Sequence, residues 1–319
     1  MIGVIARANE IFRETDWVSA DPTPKNFSAK NFGFLISSIE IWNNESDPNR
    51  FLNRTDIESK NNTDFDEECT QPDSSTICRY LKAFAKKVEV EEVGENGEAV
   101  GKVCLAHLFT YKGMGQKFVF IVLIHNCGCI RYHTCGCTFT ALRFCDPFAD
   151  FPNGILGLAH IGKKENSLTG SMGICAKGRD NYGAYLNTAL TTTLNWATKI
   201  LTAEADLVTA HELGHNWGAG HDNDPKTDYD IKDYDCEPQT KQGKYIMYRN
   251  AVNGNAPNNK KFSACSKIDV LSKLVACGRV SFTPTREDTC GNYKVDKNEQ
   301  CDSGIGLSQG YTILNLINL

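Results

Sequence analysis

Apolar positions recur along this chain with helical spacing in some stretches and as β-branched runs in others, and the changes mark out its elements. Between residues 2 and 12, Ile5, Ile11 and Phe12 fall on one side of a helical projection, which predicts an amphipathic helix. Phe32 to Trp42 is β-branched and aromatic and reads as a strand. Residues 43–73 are polar and predict a surface loop. Ser75 is placed to cap a helix carrying Ile77, Leu81, Phe84 and Val88 at near-helical spacing. An acidic, glycine-containing turn over 89–101 then leads into Lys102 to Tyr111, a second strand. Glu204 to Trp217 has helix-compatible composition, with Leu207, Ala210 and Leu213 available for a core. Ser266 to Ala276 predicts a last helix, with Ile268, Leu271, Leu274 and Val275 turned inward. No internal repeat is evident.

Composition changes the picture in one respect. With 319 residues, 41% apolar and 23% charged, the chain resembles an ordinary globular protein, and collagen-like, coiled-coil or wholly disordered chains are excluded. Its net charge of −5 does not suggest a nucleic-acid partner. The longest strongly apolar run, Phe118 to Ile124, is far shorter than the ~20 residues of a membrane helix. Fourteen cysteines, however, point to an oxidising compartment. Asn-x-Ser/Thr triplets at Asn26, Asn44, Asn53 and Asn61 agree with it. Met1 is followed by Arg7 and Glu10 with no secretory signal between, so the expectation is an N-terminally truncated, secreted or lumenal chain.

Residues 113–149 do not match their surroundings. Their only charges are Lys117, Arg131, Arg143 and Asp146, and they hold Cys127, Cys129, Cys135, Cys137 and Cys145. With His125 and His133 nearby, a second metal site suggests itself, yet structural zinc sites space their cysteines two to four residues apart rather than by one. A local disulfide lobe is a second reading. An unspliced insertion, a translated intron, is the expectation adopted.

The chemistry concentrates in Val208 to Asp222. His211 and His215 are four residues apart, so both imidazoles project from one helix face. One Zn²⁺ at ~2.0–2.1 Å is within reach of both. Gly218 can take the positive φ that ends the helix and turns the chain back, bringing His221 round as third ligand and leaving a fourth position for water. Zinc lowers the pKa of that water towards ~7, and Glu212, beside the first ligand, can take its proton and deliver it to the leaving amine. A lone histidine is ordinarily a packing or surface residue. Here three histidines, a glutamate and a glycine coincide at fixed offsets.

His211-Glu-x-x-His215-x-x-Gly218-x-x-His221 resembles the metzincin pattern, and Asp222 after the third histidine resembles the adamalysin/reprolysin (ADAM) branch rather than astacins or matrixins. Lys244-Tyr-Ile-Met247-Tyr248 looks like that family's methionine turn, in which Met247 would support the zinc site; alone it would be an ordinary core methionine. The segments 102–111, 155–162, 200–216, 251–254 and 258–267 also look like ADAM sheddases. The resemblance implies the metzincin fold: α/β, with a mixed, mostly parallel sheet, an active-site helix and a Met-turn. It implies one catalytic Zn²⁺ on His211, His215 and His221, Glu212 as general base, and Asp222 as a structural carboxylate. Leu156, Gly157 and Leu158 would form an edge strand that pairs with substrate, and Ala251 and Val252 would line a pocket for a small apolar side chain. Trp217 stands where the family commonly has phenylalanine. The implied disulfides are Cys175–Cys277 and Cys236–Cys265; Cys265 and Cys277, about 18 Å apart along one helix, cannot bond each other.

The implied organisation is a metalloprotease domain over 1–284, interrupted by 113–149, the start of a disintegrin-like module over 285–306, and a tail over 307–319 unlike the family. The implied function is a zinc metalloendopeptidase that cuts membrane-proximal stalks of cell-surface proteins. Its substrates would be polypeptides, its location extracellular or at the cell surface, with no transmembrane segment in this chain. The alternative is an inactive zinc-binding fragment acting as an interaction module through its disintegrin start.

Overall fold

The computed structural model describes residues 2–17, 32–43, 75–88, 91–93, 99–102, 105–110, 118–125, 156–162, 173–175, 183–192, 194–195, 198–199, 202–224, 236–238 and 241–276. The first element is helix α1 (Ile2–Glu14), as its apolar spacing predicts, with Val4, Ile5, Ala8 and Phe12 buried. Strand β1 (Leu35–Asn43) and helix α2 (Ser75–Lys87) follow. On α2, Cys78, Leu81, Ala85 and Phe84 are buried, and Val88 closes the same face. The acidic turn is a small antiparallel hairpin, β2 (Glu91–Val93) against β3 (Ala99–Lys102). Then come β4 (Leu105–Thr110), β5 (Phe118–His125), β6 (Gly157–Ala159) and β7 (Thr188–Thr192). A short hairpin pairs β8 (Leu194–Asn195) with β9 (Thr198–Lys199). Helix α3 (Thr202–Asn216) and helix α4 (Ala264–Ala276) complete the order.

The main sheet has five strands in the order β1-β5-β4-β7-β6. Here the expected mostly parallel sheet needs correction. Among the described residues only β4 and β7 are parallel; β1–β5, β5–β4 and β7–β6 are antiparallel. The cause is β5. It returns antiparallel beside β4, placing Phe109 opposite Phe120 and Leu105 opposite Ile124, and then pairs antiparallel with β1. Strands β1 and β4 therefore point the same way with β5 between them. β5 lies in the 113–149 segment whose composition is foreign to its neighbours.

Helix α3 lies against one side of this sheet, and α1 packs on α3. Their contact is carried by an aromatic cluster: Phe12 stands edge-on to Trp217 with ring centroids 4.8 Å apart and to Phe262 at 5.1 Å. Trp17 adds tilted contacts to Trp217 at 5.8 Å and to Phe262 at 5.0 Å. Such pairs contribute ~0.5–1.5 kcal/mol each beyond their buried area. Arg7 on α1 grips the carboxylate of Asp206 on α3 through two nitrogens, one of them Nη2 at 2.8 Å. Trp217 is thus a core residue at the C-terminal end of the helix that carries the histidines.

Candidate metal centre and active site

Helix α3 presents His211 and His215 one turn apart, as the four-residue spacing requires. It ends where Gly218 takes φ +108°, a conformation that side chains disfavour, and where a Cβ would press on the Gly162 carbonyl. The reversed chain carries His221 back to the other two. Ligand atoms of His211, His215 and His221 all lie within 4.8 Å of one another, and among the described residues these three form the cluster able to hold a metal ion.

The donor set fits zinc. Nδ1 of His211 donates to the Ile246 carbonyl at 2.7 Å, and Nδ1 of His215 donates to the Ala219 carbonyl at 2.8 Å. A carbonyl can only accept, so Nδ1 carries the proton in both rings and Nε2 keeps its lone pair for a metal. Nδ1 of His221 lies 3.4 Å from Oδ2 of Asp224. Burial, reinforced by the nearby His221, holds His211 in the neutral form with its pKa pushed down to about 3, although the Ile246 carbonyl pulls the other way. Neutral imidazole is the form that binds metal.

Glu212 is buried, and that burial raises its carboxyl pKa well above the ordinary carboxylate range. A carboxyl moved in that direction is suited to pass a proton near neutral pH. It sits directly under β6. A Cβ added to Gly157 would meet Cγ and Cδ of Glu212 at 2.6 Å, so only glycine lets the strand run this close. Leu156 is buried, whereas Gly157 and Leu158 are half-buried. Among the described residues β6 pairs only with β7, at the edge of the sheet. Asn216, at the end of α3, fixes this edge: its Nδ2 donates to the His160 carbonyl at 2.9 Å and to the Thr188 carbonyl at 3.2 Å. The Gly162 amide adds a bond to the His215 carbonyl at 2.8 Å.

Met247 is fully buried, and its turn touches the site from below through backbone groups. The Met247 carbonyl accepts from the Asp222 amide at 2.9 Å, and the neighbouring Ile246 carbonyl is the His211 partner. Ala251 is exposed and Val252 buried just beyond this turn. Asp222 faces away from the histidines. Its Oδ1 accepts from the hydroxyls of Ser263 and Ser266, and Ser263 caps α4 by accepting from the Ser266 amide at 3.0 Å. The structure pairs Cys236 with Cys265, Cα atoms 5.7 Å apart; Cys277, half of the second pair that the resemblance implies, lies outside the described residues.

Sequence reasoning missed Asn216, and it missed Asp224 and Arg249. The guanidinium of Arg249 bonds Oδ1 of Asp224. Burial opposes ionisation of Asp224, but the hydrogen bonds from His221 and Arg249 outweigh it and hold this carboxyl below its usual range. The only trace of the first contact in the sequence is the i,i+3 offset from His221.

Comparison with known proteins agrees with this geometry. Residues 142–276 match the model of the reprolysin-like M12B metallopeptidase family. The human disintegrin and metalloproteinase domain-containing protein 10 is 35% identical over 165 residues, covering 49% of this chain and 20% of the relative. Its Caenorhabditis elegans homolog is 31% identical over 199 residues, 54% of this chain and 20% of the relative. The disintegrin and metalloproteinase domain-containing protein 17 homolog of C. elegans is 36% identical over 158 residues, 47% of this chain and 23% of the relative. The chain thus spans about a fifth of the length of the curated relatives it matches. With a three-histidine centre on one helix and its turn, a reprolysin-like metallopeptidase match over residues 142–276 and these relatives, the chain is similar, over about half of its length, to metallopeptidases of the ADAM (adamalysin/reprolysin) type.

Proposed function

We propose that the chain acts as a zinc-dependent endopeptidase of the sheddase type, cutting membrane-proximal peptide bonds of cell-surface proteins. The observation that carries this reading is the stacking of buried Glu212, beside the three-histidine cluster, beneath the sheet-edge strand at Gly157. In this reading His211, His215 and His221 hold a single Zn²⁺. The ion, when bound, supplies the Lewis acidity that makes water a nucleophile at neutral pH. Substrate backbone adds to the outer edge of Leu156, Gly157 and Leu158, which aligns the scissile bond over the helix. Glu212 takes the proton from the attacking water and returns it to the leaving amine. Ala251 and Val252 line the pocket beyond the scissile bond and favour a small aliphatic side chain there. Met247 supports the site from below, Gly218 turns His221 into it, and Asp222 is structural.

The proposed organisation is a catalytic domain over 1–284, a disintegrin-like start over 285–306 and a tail over 307–319. The protein would work outside the cell or at its surface. Among the described residues no helix is long and apolar enough to cross a membrane. The reading of 113–149 as an insertion draws support from strand direction. Because β1 and β4 are both antiparallel to β5, removal of β5 would leave them as parallel neighbours joined through α2, restoring a mostly parallel sheet. A mass-spectrometric cleavage assay on stalk-like peptides tests the function: a single chelator-sensitive cut before valine or another small aliphatic residue is expected. Chelator-insensitive cleavage would refute the zinc mechanism, and no cleavage by folded, zinc-loaded protein would favour the interaction-module alternative.

A further inference from the structure

Three side chains on the open flank of the histidine cluster, Asn223, Asp224 and Arg249, are unused by the mechanism above. We propose that Asp224, held by Arg249, is the positioning residue for His221: a carboxylate clamp that fixes the one zinc ligand lying outside the helix. The inference rests on the reading of the histidines as a zinc site.

The three ligands are not held alike. His211 and His215 sit on α3, and each gives its Nδ1 proton to a backbone carbonyl. His221 lies beyond Gly218 on a loop, so no helix fixes its ring. Its Nδ1 faces a carboxylate, Oδ2 of Asp224 at 3.4 Å, the longest of the three contacts. The loop is folded on itself by the Asp224 amide, which donates to the His221 carbonyl at 3.3 Å. Oδ1 of Asp224 accepts from the Arg249 guanidinium, so both carboxylate oxygens are engaged. Arg249 is anchored in turn, since its amide donates to Oδ1 of Asn223 at 3.1 Å. The methionine-turn segment thus reaches round the third ligand and holds it from the solvent side.

An ionised carboxylate on Nδ1 does two things a carbonyl does less well. It selects the tautomer that leaves Nε2 free, and it raises the basicity of the ring toward a metal. About a third of each of the Asp224 and Arg249 side chains is exposed. Solvent-screened pairs of this kind contribute little to folding. The effect of the clamp therefore falls on metal affinity, which separates it from a structural role.

The test measures the zinc dissociation constant of the full chain by competition with a chromophoric chelator, with urea unfolding of the zinc-free chain, where metal affinity cannot contribute to the midpoint, and the visible spectrum of the cobalt(II)-loaded protein alongside. Asp224→Asn should weaken zinc binding roughly 10- to 100-fold, the range for outer-shell partners of metal-binding histidines. It should change the cobalt spectrum and leave the unfolding midpoint unmoved. Arg249→Ala should act in the same direction with a smaller loss, and Arg249→Lys should restore part of it. Zinc binding by Asp224→Asn within twofold of the parent would overturn the clamp, as would a loss of affinity matched by a lower unfolding midpoint. If the parent chain itself fails to take up zinc, both the clamp and the zinc reading fall; if it binds and the variants bind equally well, only the clamp falls.

Discussion

Replacing Asp222 tests whether the residue beside the third histidine holds the fold or takes part in chemistry. The carboxylate is buried, and Oδ1 accepts from two hydroxyls, those of Ser263 and Ser266, at the start of α4. Hydrogen bonds to a charged group contribute ~1.5–3 kcal/mol each. Asp222→Ala removes both and leaves buried hydroxyls to find new partners, so a loss of about 3–5 kcal/mol is expected. Asp222→Asn keeps an acceptor oxygen and should cost only about 1–2 kcal/mol, the charge-assisted part of those bonds. Because the carboxylate faces α4 and not the cleft, kcat per zinc-loaded molecule should stay within about threefold of the parent in Asp222→Asn, a change of well under 1 kcal/mol in the barrier. Urea unfolding curves give the first two quantities, and peptide cleavage normalised to zinc content gives the third. A coupling of about 1 kcal/mol or more between Asp222→Ala and Ser263→Ala in a double-mutant cycle would tie the loss to this contact. The reasoning fails if Asp222→Ala unfolds within about 1 kcal/mol of the parent. It fails equally if Asp222→Asn keeps stability and zinc but loses catalysis by about 10²-fold.

Three further outcomes follow from the same structure. His107 is buried on β4, its Nε2 2.9 Å from the Thr191 hydroxyl, and burial pushes its pKa from 6.5 down to about 3. Because the folded pKa is depressed, the neutral ring contributes stability that is present above pH 6.5 and is lost as pH falls towards 3. Relative to His107→Gln, the parent should lose about 2 kcal/mol more between pH 7 and pH 5, read from urea midpoints; equal losses would remove His107 from the acid response. Gly157→Ala should displace Glu212 and lower kcat roughly 10²-fold with zinc retained, and an unchanged kcat would mean that strand and base are not in register. Deleting 113–149 should leave a folded chain with undiminished zinc uptake, judged by circular dichroism and metal analysis; loss of both would make β5 an integral strand.

The metal cluster was legible because its ligands are close in sequence and a helix converts four-residue spacing into one face. Gly218 was legible for a related reason, since a residue that must take positive φ announces itself by lacking a side chain. The edge strand at Leu156 to Leu158 was placed by resemblance, and the passage of Gly157 over Glu212 emerges only from tertiary packing. Asp224 and Arg249 were invisible: they are 25 residues apart, and nothing local says that the methionine turn will fold back on the third histidine. The direction of the sheet failed for the same reason. Residues 118–124 have the apolar character of a buried strand, but which strands they separate depends on long-range pairing that no local period encodes. The cluster of Phe12, Trp17, Trp217 and Phe262 joins residues from distant parts of the chain. Singly, each is an ordinary apolar residue.

The central claim is that Glu212 performs proton transfer at a zinc centre built by His211, His215 and His221. Parent chain and Glu212→Ala should be purified side by side, assayed for zinc by elemental analysis, and incubated with a stalk-like peptide with and without chelator. The account predicts one zinc per chain in both proteins, chelator-sensitive cleavage by the parent, and cleavage reduced roughly 10²–10⁴-fold in the variant. Undiminished cleavage by zinc-loaded Glu212→Ala would contradict it.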